Sequence, residues 1–519
     1  MKYLSRISIT FILIFMLHLS AKSQTLYGDV QTFSQLQLRG SARTQAMGGV
    51  NNALGADISS TVGNPAGLGL YRFSELSISP ALNFATSNST FLEENTRDSK
   101  ANFNIATMGG VFNYTKDDIV PDKWRGYSFG ISINRTNSFH RNIAYQGLNN
   151  TNSMIDFFAQ SALGYSTAAL DDQFNSGLIA DDAGLAWSTY LIDTNGNNLT
   201  NLNRNFVGFD TSWYNINTGR PYGLNQKQEI KVKGSMYQVD FALGANYDDK
   251  IYIGGAIGIV TANNTVERTF TESPQTPRNP EILRNYTVKE TLNLSGLGIN
   301  ARVGVIARPN DILRLGATIQ TPTTFSFTEK YTKELTANFT GYMLGNYQLV
   351  REQAKLGPFE DFRYNLTTPW RFGGGASVFV SKKGFIAADV EYVLYDRATM
   401  KSRTVGINID SENDFIKNFY QPTLNYSIGV EYRINAVALR LGFSQQGNPL
   451  RQPDDLNRSV TYITTGIGTR TDTYFFDVAL VNGRYEDSFS PYTLNNNTQP
   501  RAVVKNIFTN VICSMGMFF

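Results

Sequence analysis

Few side chains in this sequence could act as a nucleophile or a general base. The 519 residues include one cysteine, Cys513, and two histidines, of which His140 alone lies beyond residue 23. A Ser–His or Cys–His pair would depend on His140, and no G-x-S-x-G elbow is present. The glycine run Gly373–Gly375 lacks the lysine of a phosphate-binding loop. We predict that the protein is not an enzyme and has neither a cofactor nor a metal site.

Isolated charged residues stand among apolar neighbours at a spacing of two. If these segments are strands, the charges face away from the apolar side chains and into an interior. We expect them to form a neutralising network there, in which Arg371 and Arg440 are the candidates for pairing with a ligand carboxylate. The set comprises Arg302, Arg371, Arg440, Asp240, Asp389 and Glu431.

The first 23 residues predict a cleavable secretory signal. Lys2 and Arg6 precede the apolar run Ile7–Ser20, and the small residues Ala21 and Ser23 follow it at the expected cleavage position. Without residues 1–23 the chain keeps 43 of its 46 basic residues, against 43 acidic ones. A formally neutral protein has no basic excess for nucleic acid. We therefore expect an exported protein with no nucleic-acid partner.

The composition indicates how such a chain enters a membrane. Aromatic residues make up 13% and charged residues 17%, below the roughly 25% charge of ordinary soluble domains. Beyond residue 23 there is no apolar run of about 18 residues, which a membrane-spanning helix needs. A closed barrel is the other structure that pairs all its backbone amides within a bilayer. The predicted fold class is all-β, a transmembrane antiparallel β-barrel in the outer membrane.

Apolar and polar residues alternate in segments of about ten residues or more, as in Leu424–Tyr432 and Phe385–Tyr395. Short connections, such as Asn246–Lys250, alternate with long ones, the longest being 147–227. This pattern predicts about fourteen strands, at 74–87, 101–114, 126–146, 228–246, 250–272, 285–308, 311–335, 364–381, 384–405, 420–434, 436–445, 458–469, 472–486 and 503–519.

Residues 24–72 do not follow the strand pattern. Eight glycines divide them, and these residues are too few to form a core of their own. We expect them to form a hatch that plugs the barrel lumen. The predicted organisation is a signal peptide at 1–23, a hatch at 24–72 and a barrel at 73–519, with a long outer loop at 147–227.

Four short motifs follow the signal in order and carry a family resemblance. They are Arg39-Gly40-Ser41-Ala42-Arg43, Ala46-Met47-Gly48-Gly49, Ala53-Leu54-Gly55-Ala56-Asp57 and Asn64-Pro65-Ala66-Gly67-Leu68. This segment resembles the hatch of the FadL/TodX family of outer-membrane transporters of hydrophobic compounds. Further similarity lies at Leu366–Gly373 and Ala438–Phe443.

The resemblance implies a transport route. A lipophilic molecule such as a long-chain fatty acid would bind the outer loops, enter the lumen and leave sideways when the hatch moves. Asn64, Pro65, Ala66 and Gly67 would form the hatch gate. The lateral exit would lie beside a kink in the third strand, within Ser128–Asn137, and we place it at Gly130. The expected partners are a hydrophobic small molecule and outer-membrane lipid.

The long outer loop carries apolar residues near helical spacing. We expect Phe157, Phe158, Trp187 and Tyr190 to form a first landing site for the ligand or to pack against one another. Two alternative functions remain open. The same barrel could be a component of a secretion machinery that binds exported proteins. It could also be a haemin receptor, because some members of the family are labelled so.

Overall fold

The computed structural model describes residues 27–116, 122–194, 206–209, 213–215, 220–276, 282–357, 361–381, 383–451 and 454–519. The predicted signal peptide at 1–23 and the first hatch residues, 24–26, lie outside this set.

Fourteen consecutive strands form one antiparallel sheet that closes on itself. Each strand pairs with the next, and the last returns to the first through pairs such as Glu75 with Phe518. The predicted strand number and the closed barrel are confirmed. The strands are β1 Glu75–Phe91, β2 Glu94–Thr115, β3 Trp124–Ser138 with Arg141–Asn149, β4 Leu224–Tyr247, β5 Ile251–Pro274, β6 Leu283–Ala307, β7 Leu313–Gln320 with Thr324–Leu344, β8 Phe362–Thr367 with Arg371–Val380, β9 Gly384–Val393, β10 Thr423–Ile434, β11 Val437–Gln446, β12 Val460–Arg470, β13 Tyr474–Phe489 and β14 Ala502–Phe518.

The side chains alternate between the two faces of the sheet as the sequence predicted. In β10, Leu424 and Tyr432 are exposed on the outer face, whereas Glu431 is buried on the inner face. The outer face therefore presents an apolar band, and the inner face is polar. Five of the six predicted inward charges are buried, and Asp389 is half-buried. Asp240, Arg302, Arg371, Arg440 and Glu431 are less than a tenth exposed.

The connections differ between the two ends of the barrel. Connections of two to eight residues join strands at one end, which we call the turn end, for example between β4 and β5. The other end, the loop end, carries the long connections. Several strand boundaries differ from the prediction. β7 ends at Leu344, beyond the predicted residue 335, and β1 and β2 meet at a tight turn at Leu92–Glu93, so the polar segment 88–100 is mostly strand. β9 ends at Val393, before the predicted residue 405.

The helices lie inside the barrel or above its loop end. None of those in the described part of the chain is long and apolar enough to cross a membrane. The α-helices are α1 Tyr27–Ser34, α2 Ala42–Ala46, α3 Met154–Ser161, α4 Thr167–Ser176, α5 Asp182–Ser188 and α6 Asp410–Phe419, with 3-10 helices at Ile58–Thr61, Pro65–Leu70 and Tyr395–Arg397. Further short strands are Ile192–Thr194, Phe206–Gly208, Tyr214–Asn215, Arg220–Pro221, Tyr347–Lys355 and Thr399–Ser402.

The interior is layered along the barrel axis. Residues 40–71, the hatch layer, lie nearest the turn end, and α1 packs among aromatic residues above them. A cap, formed by the described residues of 150–222, packs on the extended outer parts of β5, β6 and β7. From the loop end to the turn end, the interior thus contains the cap, the aromatic layer and the hatch layer in turn.

Candidate functional site

The predicted gate motif fastens the hatch to the barrel wall. Asn64 is fully buried and caps the 3-10 helix Pro65–Leu70, with its Oδ1 accepting from the Ala66 amide at 3.1 Å. Its Nδ2 donates to the carbonyl oxygens of Asn52 at 2.6 Å and of Val305, in β6, at 3.2 Å. One side chain thus joins two hatch segments and the wall. Pro65 provides the first helical residue, whose missing N–H leaves no unpaired donor.

Glycines on the inner face of the wall let the hatch backbone approach closely. A Cβ at Gly254 would lie 2.4 Å from the carbonyl carbon of Pro65, and one at Gly316 would lie 1.8 Å from the Asn52 oxygen. Such distances are far below van der Waals contact, so these positions exclude side chains while the hatch is in place. We call these inward-facing glycines the glycine belt. We did not predict it from the sequence, although the inward spacing of glycines near the short turns could have revealed it. Its other members are Gly130, Gly244, Gly304, Gly375, Gly429, Gly442 and Gly466.

A buried ion network joins the hatch to β10, β11 and β13. Arg43 lies 3.2 Å from the Glu431 carboxylate, which also pairs with Arg440 at 2.8 Å. Arg440 reaches Asp477 at 2.5 Å as well. Its predicted contact with a ligand carboxylate stays a prediction, since both wall carboxylates bind Arg440 and it does not line the lumen cavity between the hatch and the wall. It stabilises the network that we expected most of these charges to form.

A cavity of about 140 Å³ lies between the hatch and the wall. Arg39, Arg302 and Arg371 line it together. Arg371 pairs with Glu391 at 3.0 Å and donates to the Ser34 carbonyl, and Arg302 donates to the Thr61 carbonyl at 2.8 Å. Arg39 has no hydrogen-bond or ion-pair partner among the described residues. The predicted Arg371 is thus at the cavity, and the free guanidinium is one that the sequence did not single out.

An apolar layer lies directly above this cavity. Phe33 of α1 contacts Phe327, with ring centroids 4.6 Å apart, and also Phe139 at 5.6 Å. Phe325 stacks on Phe327 at 5.0 Å, and Val30 is buried in the same cluster. The α1 helix thus fills the apolar part of the lumen with its own side chains. A lipophilic ligand could enter this layer by displacing them.

The third strand is interrupted, but not at Gly130. Gly130 lies in continuous register with Val111 of β2 and Ala242 of β4. The register shift falls at Arg135 to Asn137, within the predicted range, and the ladder between β2 and β3 ends at Thr107 and Asn134. Placement of the bend at Gly130 is therefore wrong. That glycine serves hatch packing instead, since a Cβ there would lie 2.8 Å from Thr61.

The chain following α1 hydrogen-bonds to this interruption. The Gln37 amide donates to the Thr136 carbonyl at 3.1 Å, and the Gln37 side chain bonds both the amide and the carbonyl of Ser138, at 3.2 and 3.3 Å. The Asn137 side chain donates to the carbonyls of Thr32 and Gln35, at 3.2 and 3.1 Å. The N-terminal segment thus satisfies backbone groups where the barrel ladder is broken.

The four predicted landing-site residues have different environments in the cap. Phe158 is fully buried in the cap core, so it stabilises the cap and is not a landing surface. Phe157 is partly buried beneath the Lys333 ammonium, 5.9 Å from its ring centroid. Trp187 Nε1 donates to Asp171 at 2.9 Å, and Tyr190 lies in a cluster of aromatic rings near the cap edge. Within the described residues, no group of three or more His, Cys, Asp or Glu could hold a metal ion.

Comparisons with known proteins agree with this architecture. The sequence matches no protein-family model and no curated protein. The P. putida toluene transporter TodX is 12% identical and matches over 93% of this chain and 99% of its own, with a TM-score of 0.50. A Pseudomonas aeruginosa FadL homologue is 10% identical over the same shares of the two chains, with a TM-score of 0.53. The chain therefore has the FadL/TodX-type barrel fold that its hatch motifs predicted.

Proposed function

We propose that the protein is an outer-membrane channel that takes up hydrophobic small molecules, with its N-terminal segment as the gate. The outward apolar band would face lipid, the loop end the exterior and the turn end the periplasm. The observation that carries the proposal is the set of hydrogen bonds between Thr32–Gln37 and the interrupted part of β3. These bonds join the N-terminal segment to the part of the wall where the ladder between β2 and β3 ends.

The proposed gating follows from what α1 does in the lumen. A ligand that enters the aromatic layer competes with Val30 and Phe33 for the same apolar surroundings. Displacement of α1 also pulls away Gln37, which follows it. The backbone groups of Thr136 and Ser138 then lose the hydrogen bonds that Gln37 makes with them. The wall between β2 and β3 then has unsatisfied backbone groups beside a region without ladder bonds, which favours lateral opening there. The exit that we propose is thus centred on residues 135–138.

Long-chain fatty acids are the ligand class that we favour. The free Arg39 guanidinium lies below an apolar layer, so an acidic head and a long tail could bind both at once. A guanidinium binds a carboxylate through paired, charge-assisted hydrogen bonds. A neutral hydrocarbon would use the apolar layer alone.

The test is saturable uptake of a radiolabelled long-chain fatty acid by cells with equal surface amounts of each variant. Loss of one charge-assisted bond, about 1.5–3 kcal/mol, predicts roughly tenfold or greater weakening for Arg39→Gln. Arg484→Gln makes the same chemical change at an exposed position and should have no effect. Equal uptake by the Arg39 variant would exclude Arg39 as the site that binds the acid group, and no saturable uptake by the wild type would exclude long-chain fatty acids as the ligand.

A further inference from the structure

The outer edge of the cap carries a cluster of aromatic rings, of which Tyr190 alone is among the predicted landing-site residues. Its members come from α4, from the segment after α5 and from the hairpin that extends β7. They lie beyond the loop end of the barrel, and three of them are well exposed: Phe174 at 48%, Tyr342 at 39% and Tyr347 at 51%. The cluster, which we call the aromatic edge, comprises Phe174, Tyr190, Phe209, Tyr342 and Tyr347.

Tyr190 lies at the centre of the aromatic edge. Its ring centroid is 6.5 Å from that of Phe174, 6.4 Å from Phe209 and 6.3 Å from Tyr347. The Phe174 and Phe209 rings stand steeply to it, at 69° and 66°, so the cluster presents ring faces in several directions. Tyr190 also has a positive φ of 52°, a conformation that non-glycine residues adopt infrequently. The fold holds this ring in place at some conformational cost.

Two carboxylates accompany the rings, and neither has a basic partner among the described residues. Asp171 accepts a hydrogen bond from Trp187 Nε1 at 2.9 Å. Both oxygens of Glu352 accept from the Tyr347 hydroxyl, at 3.2 and 3.1 Å. Burial raises the pKa of Tyr190, and the negative charges of Glu352 and Asp171 raise it further. Two negative charges without a basic partner in the described part of the cap therefore act on the central ring.

Aromatic faces and carboxylates attract the same kind of ligand. The ring quadrupole presents negative potential above each face, and it binds ammonium groups, above all quaternary ones that cannot be strongly hydrated. The carboxylates supply a net negative charge without supplying a donor. We propose that the aromatic edge is a binding site for organic cations with an apolar body, such as quaternary ammonium groups. A fatty-acid anion would be repelled there, so this site is separate from the Arg39 cavity and does not depend on the proposed transport.

The experiment uses a matched pair of probes on the purified full-length barrel in a maltoside detergent. Choline and its neutral isostere 3,3-dimethylbutan-1-ol have the same shape and differ in charge. Their dissociation constants are measured by ligand-observed NMR titration. We expect the wild type to bind choline at least tenfold more tightly than the alcohol, with the difference shrinking as the salt concentration rises.

Three variants complete the test. Asp171→Asn with Glu352→Gln should weaken choline binding at least tenfold, and Glu93→Gln with Asp414→Asn, the same charge change at other exposed positions, should not. Phe174→Leu keeps apolar area at an exposed position but removes a ring, and it should weaken choline binding several-fold without altering that of the alcohol. Equal binding of choline and the alcohol, or unchanged choline binding by the carboxylate variant, would overturn the proposal.

Discussion

The hatch and the cap both occlude the barrel, but they are held in different ways. The hatch lies against the wall backbone to backbone, at positions such as Gly254 and Gly316 where a side chain would collide with it. The cap has an apolar core of its own, around Phe158, and joins the strands through side chains such as Glu272 and Lys333. The contrast suggests that the hatch fits in one position, whereas the cap can loosen in small steps.

The largest expected effect comes from filling the glycine belt. Gly254→Val would place side-chain atoms within the Pro65–Ala66 backbone and expel that part of the hatch. The strands alone close the hydrogen-bonded cylinder, so the barrel should still fold. We expect liposomes that contain this variant to swell several-fold faster in small polar solutes.

The neighbouring Gly255→Val is the matched control, because a Cβ there would meet no atom nearer than 3.8 Å. If both variants leak equally, the leak comes from strand damage and not from loss of the hatch. That result would contradict close backbone contact at Gly254 as the way in which the hatch is held.

A medium effect is expected from the buried carboxylate that holds the cap. Glu272, at the outer end of β5, accepts hydrogen bonds from Ser153 Oγ at 2.8 Å and from Gln226 Nε2 at 2.8 Å. Burial raises its pKa to about 7 against the lowering effect of these donors. The pKa of Glu272 is thus higher in the folded protein than in the unfolded chain. Its carboxyl stabilises the folded state fully below about pH 4.5, and this stabilisation is lost as the pH rises through 7. The shift from 4.5 to about 7 corresponds to about 3 kcal/mol.

We therefore expect amide hydrogen exchange in residues 154–188 to quicken between pH 5 and pH 8, beyond the intrinsic pH dependence of exchange. Glu272→Gln, which stays neutral, should remove this extra dependence. An identical pH dependence in the variant would show that another group controls the cap.

The smallest effect concerns Trp187, one of the predicted landing-site residues. Trp187→Phe keeps an aromatic ring beside Phe206 but loses the hydrogen bond to Asp171. Because Asp171 is exposed, we expect a loss of about 0.5–1 kcal/mol of cap stability, measured as faster limited proteolysis between α4 and α5. A large change would mean that this bond contributes more to the cap than its exposure indicates.

The sequence predicted the barrel and the hatch but not the details that depend on distant contacts. Alternation and glycine spacing are local signals, so fourteen strands and the position of the hatch could be inferred. The bend in β3 could not, because Gln37 and Asn137 fix it across about a hundred residues. The helical spacing of apolar residues placed Phe158 on an apolar helix face, but it did not show that this face lies against the cap core. The polar segment 88–100 lacks apolar alternation, so its strand character was not visible.

We propose that the hatch segment must leave β3 for a ligand to pass. The most direct test replaces Gln37 and Ser138, which are hydrogen-bonded in the structure, with cysteines in a Cys513→Ala background. Thiol titration verifies that the disulfide has formed, and saturable fatty-acid uptake is measured before and after reduction. We predict that uptake is absent in the oxidised protein and returns to the level of the single-cysteine variants when the bond is reduced. Undiminished uptake through the locked protein would contradict the account.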